Sequence, residues 1–165
     1  MTLQEFNQLP LPARVQQLHD CCHCHWWAET LAQDAPFNSL QSLLEQAVNL
    51  FNQANESQIL EAFKGHAKIG DIELLRSKFA GKATAEQGQV MQASEDTIKA
   101  LWQLNQDYEA KNGFIFIVCA TGKSAEEMLV ILESRIANSR DCELKNGAQE
   151  QNKITQIRLT QLIEN

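Results

Sequence analysis

Apolar residues recur at helical spacing along most of this chain. From Ser39 onward, Leu40, Leu43, Leu44, Ala47, Val48 and Phe51 fall at offsets of 3, 4, 7, 8 and 11, so a helix here has one apolar face and one polar face. The punctuation between such stretches is helical too. Thr2 followed by Glu5 makes a capping box for a short first helix, which Pro10 ends. Pro12 suits the first turn of a second helix through Val15 and Leu18, and a third is predicted from about Cys24 to Gln33. Ile59, Leu60 and Phe63 predict another short helix, with Gly65 ending it in a left-handed conformation. Asp71 is placed to cap a helix carrying Ile72, Leu74 and Leu75, and a further short helix is expected from about Ala83. Ser94 caps a long one through Ile98, Leu101, Trp102, Asn105 and Tyr108 to Gly113. Ser124 and Glu127 form a second capping box ahead of Met128, Leu129, Ile131, Leu132 and Ile136. The last helix is predicted from about Asp141 to the end, with an interruption at Gly147.

One stretch breaks the pattern. Phe114, Ile115, Phe116, Ile117, Val118 and Cys119 form a continuous run of strand-favouring residues, followed by the turn-like Ala120-Thr121-Gly122-Lys123. A strand needs a partner for its backbone groups, and no second strand pattern occurs. The run therefore reads as buried extended chain inside a helical bundle. The expected architecture is all-α: a single domain over residues 1–165, with about eight to ten helices and one buried extended segment.

Composition narrows the function classes. The 165 residues, 44% of them apolar, are enough for one domain with a substantial core. A formal charge of -7 provides no electrostatic footprint for nucleic-acid phosphates or an anionic membrane, so neither is an expected partner. No stretch approaches the roughly 20 apolar residues of a spanning helix, and no leader pattern or peroxisomal address is expected from the two termini. Five cysteines, three of them bunched at Cys21, Cys22 and Cys24, make no disulfide framework, which favours a reducing cytoplasm.

Candidate chemistry is scattered. Cys21-Cys22-His23-Cys24-His25 has the spacing and soft donors that invite zinc. On a continuous helix, however, Cys21, Cys24 and His25 share a face while Cys22 and His23 point away, and no second pair completes four ligands. Small buried thiols beside Trp26 and Trp27 are the alternative. Arg158 follows Ile154 on a stripe with Leu162, and Arg135 sits between Leu132 and Ile136; each guanidinium on an apolar face needs an anion, from a carboxylate tie or from a ligand. Tyr108 reads as core. His66, in a loop between Gly65 and Gly70, is either a surface residue or the readiest general acid or base. Glu86 and Gln87 stand at a predicted helix start, where a glutamate is ordinarily a cap. No Gly-x-Ser-x-Gly elbow or His-Glu-x-x-His supports a hydrolase.

The order of these features is more specific than any one of them. Gly65-His66-Ala67-Lys68-Ile69-Gly70-Asp71, then Ala85-Glu86-Gln87, then Leu104 to Tyr108, then the long stretch Gly113 to Leu129, then Lys153 to Leu159, resembles the OHCU decarboxylase family. The resemblance also takes in Trp27-Ala28-Glu29 and Pro36-Phe37, and so covers almost the whole chain. It implies cofactor-independent and metal-free decarboxylation of 2-oxo-4-hydroxy-4-carboxy-5-ureidoimidazoline to (S)-allantoin in urate degradation, by an all-helical homodimer. It further implies that His66 and Glu86 are catalytic, that Gln87 and Arg158 bind substrate, and that backbone groups of Phe116, Ile117, Val118 and Cys119 line the pocket. Two positions depart from the family pattern: Ala67 stands where proline usually follows the histidine, and Ala83 where a polar residue usually stands three positions before the glutamate. A helical interaction module without catalysis, with zinc at Cys21 to His25, is the competing reading.

Overall fold

The computed structural model describes residues 1–67, 72–73, 75–77 and 94–163. Among these residues no strand is found, and the helices are α1 (Leu3–Gln8), α2 (Leu11–Cys21), α3 (His25–Gln33), α4 (Leu40–Phe51), α5 (Glu56–Lys64), α6 (Glu95–Asn112), α7 (Ala125–Arg135) and α8 (Arg140–Ile163), with residues 72–73 and 75–77 helical as well. The all-α expectation holds. Of the helix predicted after Asp71, the described residues 72–73 and 75–77 are helical, whereas the short helix predicted from about Ala83 lies outside the described residues.

Side-chain caps set most of the starts. Thr2 and Glu5 satisfy each other's backbone N–H across the first turn of α1, Ser39 and Ser42 do the same for α4, and Asn55 and Gln58 for α5. Ser94 accepts from the Thr97 N–H at the start of α6, and Gly113 closes that helix in the left-handed region at φ 79. At α7 the capping box is only half made: Ser124 accepts from the Glu127 N–H, while the Glu127 carboxylate meets the Ser124 hydroxyl at 3.2 Å.

The chain divides into two compact units, residues 1–66 with 144–165, and residues 67–143. In the first, α3 packs on α2 and α4 around Phe6, Leu18, Trp27, Leu31, Leu43, Phe51 and Leu159, all buried. The Trp27 indole donates to the Ala47 carbonyl at 3.0 Å, which satisfies a polar atom inside that core. Arg14 donates to the carbonyls of Asn7, Leu9 and Ala32, collecting the open ends of α1 and α3. In the second unit, α6 packs on α7, and Phe114, Ile117 and Cys119 are buried in a segment with no regular structure, as expected of a lone extended run.

Three expectations are corrected. Gly65 is not left-handed: its φ is -74. The glycine is needed because a Cβ there would lie 2.2 Å from His23 Nδ1. Gly147 does not interrupt the last helix, which runs unbroken through it; a Cβ at that position would come 2.7 Å from Phe63 Cζ, so the missing side chain makes room for an aromatic ring. Finally, the Cys21 to His25 cluster is not on one helix, because α2 stops at Cys21 and α3 starts at His25.

Candidate functional site

In the first unit, His66 follows the end of α5 directly, its N–H bonding back to the Phe63 carbonyl at 3.1 Å. Close packing of Gly65 on His23 fixes the turn that aims it. The half-buried imidazole places Nε2 2.5 Å from Oε1 of Gln151, a residue 1% exposed in the middle of α8. Gln151 in turn donates through Nε2 to the Thr155 hydroxyl at 3.0 Å, so its amide is held from both sides. An amide oxygen only accepts, so in this orientation His66 Nε2 carries the proton and Nδ1 holds the lone pair of the neutral ring. Burial lowers the His66 pKa below the ordinary histidine value, the Gln151 bond partly opposes this, and the charges of Arg158 and His23 reinforce it. The ring is therefore largely neutral at pH 7, with Nδ1 able to take a proton.

Arg158 stands two turns beyond Gln151 on α8, and Gln151, Thr155 and Arg158 occupy one helix face at i, i+4 and i+7. Its Nη1 donates to the Cys21 carbonyl at 3.1 Å. This bond ties the guanidinium to the end of α2 through a neutral oxygen, without an anion. The thiols around it are inert: burial pushes Cys21 up to about 11 and Cys22 up to about 12, even with Arg158 nearby, and burial raises Cys24 as well. Such thiols are neither nucleophiles nor ready zinc ligands, and the three behave as core residues.

The second unit holds the extended segment rigidly. Arg135 Nε donates to Glu143 Oε1 at 2.7 Å, and Arg135 Nη1 donates to the Ile117 carbonyl at 2.8 Å. Glu143, 0% exposed, also accepts from the Tyr108 hydroxyl at 2.7 Å and from Asn138 Nδ2 at 2.9 Å. The Arg135 guanidinium lies 4.6 Å from the Phe116 ring centroid, a cation–π arrangement. Lys123 Nζ donates to the Cys119 carbonyl at 2.7 Å. Two carbonyls of the run 116–119 are thus fixed by cations, which sets the peptide planes between them. Burial and the Glu143 bond raise the Tyr108 pKa, so its hydroxyl stays a donor.

Of the predicted site residues, His66 and Arg158 are brought together within the first unit, and Phe116, Ile117, Val118 and Cys119 lie in the second. Glu86 and Gln87 lie outside the described residues. Of the two arginines on apolar faces, Arg135 has the carboxylate tie, and Arg158 has none among the described residues. Sequence reasoning missed Gln151 and Thr155. The available sign was their position on the Arg158 face of the last helix, where Gln151, Thr155 and Arg158 recur at helical spacing.

A model of the family described as OHCU decarboxylase matches residues 7–160. Among curated relatives, an Arabidopsis thaliana uric acid degradation bifunctional protein is 34% identical over 145 residues, 86% of this chain and 45% of the relative. A Bacillus counterpart of the same description is 28% identical over 98% of this chain and 32% of its own length. The chain thus spans less than half the length of these two proteins. It spans 95% of a 2-oxo-4-hydroxy-4-carboxy-5-ureidoimidazoline decarboxylase from Haloferax volcanii, at 23% identity. Among solved structures, an OHCU decarboxylase crystallised in the presence of (S)-allantoin superposes with a TM-score of 0.74 at 32% identity, covering 89% of this chain and 96% of that one. With α2 to α7, His66 and the run 114–119 all falling inside the matched residues, the chain belongs to the OHCU decarboxylase family.

Proposed function

We propose that this protein decarboxylates 2-oxo-4-hydroxy-4-carboxy-5-ureidoimidazoline to (S)-allantoin, as a single-domain cytoplasmic homodimer in urate degradation. Family membership supports the reaction, and among the described residues no helix is long and apolar enough to cross a membrane. The observation that carries the reading is the neutral, half-buried imidazole of His66, oriented by the buried Gln151 and close to a guanidinium.

The substrate supplies its own electron sink. Its carboxylate and hydroxyl share one ring carbon, and the neighbouring ring carbon, which bears the ureido group, is doubly bonded to nitrogen. When the bond to CO2 breaks, its electron pair forms a carbon–carbon double bond and the C=N pair moves onto nitrogen, which is protonated. The resulting enol loses its hydroxyl proton as the carbonyl forms, and the ureido-bearing carbon gains a proton. One proton is taken up for each CO2 released. No metal or organic cofactor is required by this balance.

The protein must turn the carboxylate out of the ring plane, move the hydroxyl or ring proton, and deliver the new proton to one face. We assign the first proton transfer to His66 through Nδ1, and delivery to carbon to Glu86, with Gln87 and backbone groups of residues 116–119 orienting the ring. Arg158 serves best on a carbonyl or ureido oxygen, because holding the departing carboxylate tightly would stabilise the ground state. The test is direct: supply freshly generated substrate, and follow CO2 release and optical rotation. CO2 release well above the spontaneous rate with only the (S) product supports the reading; spontaneous rate and racemic product overturn it.

A further inference from the structure

The chain has four histidines, and three of them, His19, His23 and His25, crowd one patch of the first unit. The rings of His19 and His23 stack at 4.8 Å with an interplanar angle of 5°, and those of His19 and His25 approach to 4.4 Å. Glu61 of α5 reaches the same patch, its Oε2 lying 2.7 Å from His25 Nδ1 and accepting from the His25 backbone N–H at 2.9 Å. One ligand atom each from His19, His25 and Glu61 lie within 4.8 Å of one another. None of these side chains has a part in the proposed decarboxylation.

We propose that His19, His25 and Glu61 form a binding site for a first-row divalent cation of the zinc type, separate from the reaction centre. Two imidazoles with one carboxylate are a transition-metal donor set, whereas calcium and magnesium select all-oxygen shells. Donors about 2.0–2.1 Å from zinc stand roughly 3.4 Å apart in a tetrahedron, so rotamer adjustment of about an ångström closes the cluster and leaves one position for water. His25 is widely exposed, which gives an ion an entry path. The three ligands come from the last turn of α2, the first residue of α3 and the middle of α5. A bound ion therefore ties α5, which leads into His66, to the α2–α3 corner. Tertiary structure thus recomposes the cysteine–histidine cluster: its thiols turn inward, two imidazoles of the patch remain outside, and the missing acid arrives from 36 residues beyond His25.

The test uses the whole chain stripped with chelator and titrated with Co(II) and Zn(II), and it reads binding independently of any reaction. We expect one ion per chain at micromolar or tighter affinity, visible Co(II) bands without thiolate charge transfer, and a rise in Tm with Zn(II). Glu61→Gln, at a half-buried position, and His25→Ala, at an exposed one, should each weaken binding at least tenfold and remove the Tm response while leaving circular dichroism unchanged; His19→Ala provides an independent third variant. Cys142→Ser, at an exposed thiol, should bind as the parent does. Absence of saturable binding, affinity unchanged in the Glu61 and His25 variants, or thiolate bands lost in Cys142→Ser would each overturn the proposal.

Discussion

The Nε2 of His66 and the Oε1 of Gln151 lie 2.5 Å apart across 85 positions of sequence, and this one bond decides which ring nitrogen can act on a substrate. Removing it should move both the titration and the activity of His66. Because the bond raises the His66 pKa while burial lowers it, the acid limb of kcat/KM should lie below the ordinary histidine value of about 6.5, and Gln151→Leu should shift it to still lower pH. Loss of orientation should also cut kcat by about 10-fold to 100-fold. Nitrogen NMR of the parent should show the Nε2-protonated tautomer; a Nδ1-protonated ring, or an unshifted acid limb in the variant, contradicts the assignment.

The same depressed pKa has a consequence for folding. Between the folded-state value and about 6.5, the unfolded chain binds more protons than the folded one, so stability attributable to His66 rises with pH across that window. It is fully present above about 6.5 and is lost as pH falls towards the folded value. Urea midpoints of the parent should therefore fall with acid more steeply than those of His66→Phe. Parallel curves would show that the imidazole is not held neutral by its surroundings.

The two proton roles separate by product handedness. His66→Ala should bring CO2 release close to the spontaneous rate, since a placed general acid–base group contributes roughly 10²–10⁴-fold. Glu86→Gln should slow turnover and let racemic allantoin appear, because protonation from water has no face preference. If Glu86→Gln alone abolishes CO2 release while His66→Ala only erodes handedness, the roles are reversed.

Arg158 bonds to a backbone carbonyl and holds no carboxylate partner among the described contacts, so its charge remains for a ligand. Arg158→Lys keeps that charge and loses the planar fork. KM should rise about tenfold or more with the fold intact, equivalent to about 1.4 kcal/mol of lost binding. An unfolded variant whose folded fraction saturates normally would make the arginine structural.

Arg135 has the opposite character. Arg135→Met leaves the buried Glu143 carboxylate without its cation and the Ile117 carbonyl without its donor, which should cost about 3–5 kcal/mol in urea unfolding. Pairing it with Glu143→Gln should recover part of that loss, because the stranded charge is removed. A cost within about 1 kcal/mol would mean the pair contributes little to holding the extended segment.

What the sequence determined alone is what depends on near neighbours. Caps at Thr2, Ser39 and Ser94, the left-handed stop at Gly113 and the apolar stripe of α4 are local effects within a few residues, so helix positions and the all-α class could be read directly. The irregular run 114–119 was legible for the same reason: with no second strand in the sequence, it had no pairing to make. The order of short motifs likewise carried the family and the candidates His66 and Arg158. Only tertiary structure decided which distant groups those candidates meet. Nothing near Gly65 in sequence shows that His23 occupies its Cβ space, so the need for a glycine there comes from packing and not from a left-handed helix end. Gly147, inside an unbroken helix, leaves the space that the Phe63 ring occupies. Gln151 as the partner of His66, Glu143 as the anion of Arg135, and Glu61 beside His25 are all pairings between separate elements of the fold. Helical periodicity tells which side of a helix turns inward; which side chains face each other there follows from the packing of helices far apart in the chain.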